Sequence, residues 1–205
     1  MGRFLVATVF ALAMLVPAVA RADFMPACNR LALTLVIDRS GSMTGAKLAE
    51  AKAAAAAAVD HLTGNDCVAV ITFDSAPQTV VPMQSASDKT AIKDAIARIT
   101  AGGGTEILTA LRAAHGTFTA QTAAARKKHV ILLTDGMSPV AGLQTLAQTM
   151  VAAHETLTTA GLGDDVDEQT LRALSATGTG RYYHVVDPTM LARIFTREVD
   201  LALTP

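Results

Sequence analysis

Acidic and hydroxyl side chains follow a strongly apolar stretch near the start of the chain. Residues 31–37 are almost entirely apolar, and Asp38, Ser40 and Ser42 come directly after them. Because these three residues alternate along the chain, their oxygens can converge from one side of an extended loop. A set of oxygen donors without thiolate or imidazole suits a hard cation, Mg²⁺ or Mn²⁺, with Ca²⁺ less favoured. The loop therefore indicates a divalent-metal site.

Two further loops carry residues of the same chemistry. Residues 102–105 read Gly-Gly-Gly-Thr, and Asp135 follows a second apolar stretch at 129–134. If the two apolar stretches are neighbouring strands, Asp38 and Asp135 share one crevice, where two carboxylates repel each other unless a cation lies between them. Each loop alone has an ordinary explanation, as a helix cap or a turn. Together they predict a metal site formed by Asp38, Ser40, Ser42, Thr105 and Asp135.

Strand and helix patterns alternate along the chain. This alternation predicts an α/β fold: a doubly wound, Rossmann-like, mostly parallel six-stranded sheet with helices on both faces. The third strand contains Pro82 and follows the second through too short a link for a crossover, so it is predicted to be a short antiparallel edge strand. The predicted strands cover 31–37, 67–73, 78–83, 129–134, 156–162 and 181–186. The predicted helices cover 46–62, 87–99, 106–117, a segment between 139 and 154, 166–176 and 188–203.

The composition restricts the class of protein. The chain has 205 residues, of which 51% are hydrophobic and 17% charged, with a formal net charge of −1. That length suits one domain with a sizeable core. Nucleic-acid binding usually needs a basic surface, which this balance does not provide. The glycines at 102–104 lack both the strand-first GxGxxG arrangement and a P-loop lysine, so nucleotide binding is not expected.

The first 22 residues have the pattern of a signal peptide. Arg3 precedes an apolar stretch at 4–15, Pro17 interrupts it, and small residues stand at the expected cleavage position, Ala22, with Ala20 as the alternative. An uncleaved membrane anchor is the other interpretation of this segment. Cleavage would leave residues 23–205 as one mildly acidic domain. The predicted location is therefore periplasmic or secreted.

The two cysteines are consistent with an oxidising compartment. Cys28 lies just before the first predicted strand, and Cys67 opens the second. If these strands are parallel neighbours, both cysteines lie at the amino-terminal edge of the sheet, within reach of each other. A Cys28–Cys67 disulfide is the favoured interpretation in an exported protein, and two free thiols are the alternative.

The polar loops resemble a known family. Residues 38–42 are similar to the DxSxS motif of von Willebrand factor A domains, and Thr105 and Asp135 stand where that family has its threonine and second aspartate. The TDG sequence at 134–136 and the GLGDD sequence at 161–165 are also similar. The resemblance runs from about Leu31 to Leu203, nearly the whole chain after the leader.

The resemblance implies a metal-ion-dependent adhesion site, or MIDAS. Asp38, Ser40 and Ser42 would reach the cation directly or through water, and Thr105 and Asp135 would complete the ring. A protein partner would supply an Asp or Glu carboxylate as the last ligand, and the domain would catalyse nothing. The alternatives are a degenerate, metal-free scaffold and a metal-dependent hydrolase or phosphatase. A phosphatase of the haloacid dehalogenase type would need a second aspartate where Ser40 stands, and a serine nucleophile would need a nearby histidine.

Overall fold

A computed structural model describes residues 28–204, so the expected signal peptide at 1–22 lies outside the described residues. Residues 28–204 form six strands and six α-helices, which alternate along the chain except where two strands and then two helices follow one another between residues 67 and 116. The strands are β1 Leu31–Asp38, β2 Cys67–Phe73, β3 Pro77–Ser85, β4 Lys127–Thr134, β5 Glu155–Leu162 and β6 Thr179–Val185. The helices are α1 Ala46–His61, α2 Lys89–Ala97, α3 Ile107–Gly116, α4 Leu143–Ala152, α5 Glu168–Thr177 and α6 Leu191–Leu203.

The strands form one sheet in the order β3-β2-β1-β4-β5-β6. β3 is antiparallel to β2, and the other neighbouring pairs are parallel. The predicted doubly wound, mostly parallel six-stranded fold is confirmed. From β1 the chain continues to β2 on one side, and it later returns to β4 on the other side. Open α/β sheets place ligand sites at such a switch point, outside the carboxyl ends of the strands.

The antiparallel edge strand β3 is longer than the short strand predicted at 78–83. It runs through Pro82, and its register against β2 shifts there. Val68 pairs with Gln84 and Val70 pairs with Val81, so Pro82 and its successor oppose a single residue of β2. A bulge on an edge strand tolerates proline, because the missing N–H leaves no ladder bond unmade. The proline therefore bends the edge strand without ending it.

The helices pack in two layers, one on each face of the sheet. α1, α2 and α6 cover the face to which Leu33 and Leu35 point, whereas α3, α4 and α5 cover the face to which Val36 points. Every residue of β1 is buried, as expected for the central strand of a parallel sheet. Alanines of α1 such as Ala54 and Ala58 are fully buried, which lets the helix approach the sheet closely. None of the helices within 28–204 is long and apolar enough to cross a membrane.

The amino-terminal edge of the sheet carries a disulfide. Cys28 and Cys67 are bonded, with their Cα atoms 5.3 Å apart. Cys67 lies opposite Ala32 in the parallel β1–β2 ladder, which brings the segment before β1 alongside it. The expected bridge is thus present, at the end of the sheet opposite the carboxyl ends of β1 and β4.

A buried polar cluster lies between α6 and the strands β4, β5 and β6. The Glu198 carboxylate, only 1% exposed, accepts hydrogen bonds from the hydroxyls of Thr158, at 2.8 Å, and Tyr183. Arg181 and the buried His129 approach it with nitrogens at 3.5 Å. Burial by itself would raise the pKa of Glu198, but these polar neighbours outweigh it and lower that pKa to about 2. Glu198 is therefore an ionised carboxylate inside the protein.

Candidate metal centre

Asp38, the last residue of β1, is fixed by two hydrogen bonds. Its Oδ1 accepts the backbone N–H of Ser40 at 2.7 Å, and its Oδ2 accepts the hydroxyl of Thr134 at 2.6 Å. Burial raises the pKa of Asp38, the hydrogen bonds from Ser40 and Thr134 oppose that rise, and the charge of Asp135 adds to it. The carboxylate is thus held rigidly at the carboxyl end of the central strand.

A chain of hydroxyls connects the first loop to the second aspartate. The Oγ atoms of Ser40 and Ser42 are 3.1 Å apart, and Ser42 donates to Asp135 Oδ1 at 2.7 Å. Asp135 follows β4, the neighbour of β1, as the sequence predicted. The structure therefore brings Asp38, Ser40, Ser42 and Asp135 together at one point of the sheet edge.

The glycine loop brings Thr105 to the same place. The N–H of Gly102 donates to the carbonyl of Arg39 at 2.7 Å, and the N–H of Gly41 donates to the carbonyl of Gly103 at 3.1 Å. A Cβ added to Gly136 would lie 3.4 Å from the Thr105 hydroxyl oxygen, so Thr105 stands beside the turn that contains Asp135. All five predicted site residues are thus gathered around one crevice.

The sequence analysis did not identify Arg39 as part of this arrangement. Its guanidinium pairs with Asp74 and donates to the carbonyl of Thr100 at 3.3 Å. The Asp74 carbonyl in turn accepts the N–H of Glu106 at 2.8 Å. Arg39 therefore braces the loop that carries Thr105 against the loop that follows β1.

Lys47, in the first turn of α1, was also missed. Its Nζ lies 2.6 Å from Asp135 Oδ2, and the Asp135 side chain is fully buried whereas that of Lys47 is 33% exposed. A lysine at the start of a helix that follows the DxSxS loop is the only sequence signal for this contact. Helix α1 thus supplies a positive charge to the crevice.

Gly103 is the residue of the glycine loop that leaves the least room for a side chain. It adopts φ +81°, and an added Cβ would lie 2.7 Å from the Cβ of Asp74. We expect Gly103→Ala to lower the free energy of unfolding by about 1–3 kcal/mol, because alanine is strained at positive φ and would displace Asp74. Urea unfolding measures the change. The matched control is Gly102→Ala, whose Cβ would meet nothing within 4 Å and which should stay within about 0.5 kcal/mol of wild type. Equal stability of the two variants would contradict the strain argument.

Apolar side chains are exposed next to the crevice. Met137 is 73% exposed and Val140 is 55% exposed, both in the loop between β4 and α4. The loop is anchored by Ser138, whose hydroxyl accepts the N–H of Ile107 at 3.0 Å. Because Ile107 begins α3 two residues after Thr105, this apolar surface lies close to the predicted ligands.

The donor set of the crevice fits a hard divalent cation. It offers two carboxylates and three hydroxyls, and the carboxylates need a counter-charge to lie so close together. No group of three or more His, Cys, Asp or Glu side chains within 28–204 is arranged to hold a metal, so a cation here would depend on the hydroxyls. Of the five histidines, none hydrogen-bonds to the four linked side chains in the described part of the chain.

The polar loops lie at the switch point of an open α/β sheet, where such folds place their ligand sites, and comparison with known proteins identifies the family. The sequence profile of the von Willebrand factor type A domain matches residues 32–197. The chain therefore belongs to the von Willebrand factor type A family.

Individual relatives agree with this assignment. An uncharacterized protein of Synechocystis sp. is 32% identical over 185 residues, covering 85% of this chain and 43% of the relative. The structure of a von Willebrand factor type A protein from Catenulispora acidiphila superimposes with a TM-score of 0.76 at 28% identity, covering 85% of this chain and 43% of the other. The chain thus spans less than half the length of both relatives.

A second similar structure is described with a metal. It is proximal thread matrix protein 1 from the mussel byssus, with a zinc-occupied MIDAS motif. Its TM-score is 0.71 at 22% identity, covering 87% of this chain and 47% of that one. The likeness at this identity shows a shared fold.

Proposed function

We propose that this domain binds a protein partner through a divalent cation and catalyses no reaction. The carrying observation is the convergence of five oxygen-bearing side chains at the switch point of the sheet. Asp38, Ser40 and Ser42 would contact the cation directly or through water, with Thr105 and Asp135 completing the ring. Together they would form a MIDAS.

The proposed cation is Mg²⁺ or Mn²⁺, with Ca²⁺ less favoured. Carboxylate, hydroxyl and water ligands suit the first two ions, whereas zinc prefers nitrogen and sulfur. The mussel protein described with zinc in its MIDAS motif supports a divalent metal at this position of the fold. The bound cation would act as a Lewis acid toward an incoming anion.

The proposed partner is a protein that presents an Asp or Glu carboxylate. The carboxylate would take a position that water occupies on the cation, so binding would require the metal. The exposed Met137 and Val140 next to the crevice would add apolar contact area. Nucleic acid and nucleotide are not proposed as partners, because the chain has a formal net charge of −1 and no phosphate-binding motif.

The proposed location is outside the cytoplasm, periplasmic or secreted. The Cys28–Cys67 disulfide supports it, because disulfides persist in oxidising compartments. The signal-peptide pattern at 1–22 supports it independently. A membrane contact is proposed only through that segment, should it stay uncleaved.

A metal-dependent hydrolase or phosphatase is the alternative use of the same cation, and it needs a general base near the metal. No histidine in the described part of the chain hydrogen-bonds to the four linked side chains of the crevice. His115 is bonded to Glu155 at 2.9 Å, His129 to Thr156 at 2.6 Å, and His184 to the carbonyl of Gly163 at 3.0 Å. We therefore favour partner binding.

Thermal unfolding in the presence of metals tests the proposal. A cation that binds only the folded protein at a hundredfold excess over its Kd stabilises it by about 2.7 kcal/mol, or about 5–10 °C in Tm for a domain of this size. We expect Mg²⁺ or Mn²⁺ to raise the Tm of the wild-type protein. Neither ion should change the Tm of Asp38→Ala or of the similarly shaped Asp38→Asn.

The control variant is Asp60→Ala, which removes an equal charge from a carboxylate that is 52% exposed and paired with Lys93. It should respond to metal as the wild type does. A wild-type Tm that millimolar Mg²⁺ and Mn²⁺ do not move would overturn the proposed metal site.

A further inference from the structure

Lys47 makes an ion pair that differs from a surface ion pair. Its ammonium lies 2.6 Å from a carboxylate oxygen of Asp135, whose side chain is fully buried. The lysine also packs near the end of β5, since a Cβ added to Gly163 would lie 3.7 Å from its Nζ. By contrast, the Lys93–Asp60 pair joins side chains that are 37% and 52% exposed. The positive charge of Lys47 therefore lies within the crevice, where water and salt screen it only weakly.

The charges of the crevice follow from this contact. Asp38 and Asp135 carry two negative charges when ionised, and Lys47 compensates one of them. Without Lys47, a divalent cation would be neutralised by the two carboxylates. With Lys47 present, the metal-loaded crevice keeps a net positive charge of one, next to the exposed Ser42.

We propose that Lys47 is a specificity-determining residue that weakens metal binding and strengthens the capture of a carboxylate by the bound metal. The inference rests on the proposed metal site and adds the residue that sets its charge. A fixed ammonium repels the incoming cation, so the metal binds less tightly than it would to the carboxylates alone. The same ammonium leaves the loaded site positive, so an acidic group of a partner binds more tightly.

The ion pair also accounts for the order of the crevice before metal binds. Asp135 is held between the Ser42 hydroxyl at 2.7 Å and the Lys47 ammonium at 2.6 Å. A buried carboxylate without a counter-charge would be costly. Lys47 and Ser42 thus hold the Asp135 side chain in place, and metal binding needs little rearrangement of this loop.

The test compares Lys47→Met with wild type by titrating Mn²⁺ and following free Mn²⁺ by electron paramagnetic resonance. Removing a positive charge next to a divalent cation should tighten Mn²⁺ binding by at least about tenfold. Acetate then serves as the carboxylate probe, and water-proton relaxation of the Mn²⁺-loaded proteins reports its binding. We expect acetate to bind more weakly to Lys47→Met than to wild type. A merely structural role for Lys47 would weaken both affinities together.

Three variants make the outcome decisive. Lys93→Met removes the same charge at the exposed pair with Asp60 and should leave both affinities unchanged. Lys47→Arg keeps the charge and should behave as the wild type does. Lys47→Gln keeps a hydrogen-bond donor to Asp135 and should bind Mn²⁺ more tightly even if the methionine variant folds poorly.

The two proposals fail in different ways. Wild-type binding of Mn²⁺ with equal or weaker binding by both Lys47→Met and Lys47→Gln overturns the role of Lys47 and leaves the metal site standing. Wild-type protein that binds no Mn²⁺ overturns the metal site and the role of Lys47 with it. Tighter Mn²⁺ binding together with unchanged acetate binding overturns the carboxylate-capture half of the inference.

Discussion

Replacing Cys28 and Cys67 together with serine should lower the free energy of unfolding by about 4 kcal/mol. The bridge closes a loop with a sequence separation of 39, and removing such a cross-link restores that much chain entropy to the unfolded state. Both cysteines are buried, so the serine hydroxyls that replace them would lose the hydrogen bonds that they make to water in the unfolded chain. Urea unfolding of the double variant against wild type measures the difference.

The reduced wild-type protein provides the control for this prediction. Wild type in excess dithiothreitol should unfold near the midpoint of the double variant, and the double variant itself should not respond to the reductant. Under conditions in which they are folded, the double variant and the reduced wild type should still respond to metal, because the bridge lies at the opposite end of β1 from Asp38. A loss of less than about 1 kcal/mol would show that the bridge contributes little to stability.

Glu198→Ala should cost about 3–5 kcal/mol of folding free energy. Removing the carboxylate from this buried network leaves the remaining polar groups without their partner. That costs more folding free energy than the loss of an exposed ion pair. Thr158 and Tyr183 would lose their acceptor, and Arg181 would lose its counter-charge. Denaturant unfolding measures the loss.

The matched control is Glu168→Ala, which removes two partly exposed ion pairs at the surface of α5, with Arg172 at 3.0 Å and with His184 at 3.3 Å. Its cost should stay below about 1 kcal/mol, because exposed ion pairs contribute little to stability. A Glu198→Ala variant as stable as this control would contradict the network.

The pH dependence of stability tests the same carboxylate. The pKa of Glu198 is lowered to about 2 in the folded protein, whereas an unfolded glutamate titrates near 4.3. The unfolded chain therefore takes up the proton first as the pH falls, and the stability contributed by Glu198 is present above about pH 4.3 and is lost between there and about pH 2. Glu198→Gln should show a smaller decline than wild type across this window.

The central strands β1, β2 and β4 were predictable because each is a nearly continuous apolar stretch that a polar residue follows or ends. β1 ends at Asp38, β4 ends directly before Asp135, and β2 begins at Cys67, so these predicted borders were close to the observed ones. The borders of polar segments were less certain. β4 begins at Lys127 and not at His129, since its first two residues pair with β1 although their charged side chains are only half-buried. The second helix begins at Lys89 and is capped by Asp88, whose carboxylate accepts the N–H of Ala91, whereas the helix was predicted from residue 87.

The predicted site residues converge because they were chosen by their place at the strand ends. Lys47 and Arg39 were missed, since their roles depend on side-chain directions that spacing does not encode. The buried position of Glu198 could have been predicted from the sequence of α6. In α6 it falls on the apolar face with Phe195 and Val199, at positions that a helix presents to one side. A lone carboxylate on such a face indicates a buried partner.

The pairing of β1 with β4 has a consequence for how the protein folds. Ser42 and Asp135, which meet in the crevice, are 93 positions apart, and the chain between them forms β2, β3, β4 and three α-helices. Contacts of such long range form late and slow the folding of a chain that depends on them. The α1-linked β1–β2 unit can form from local contacts, but the crevice needs β4 to dock against β1. The proposed metal-binding geometry should therefore form when β4 docks, late in folding. Mn²⁺ uptake during refolding should lag behind the recovery of helical circular dichroism.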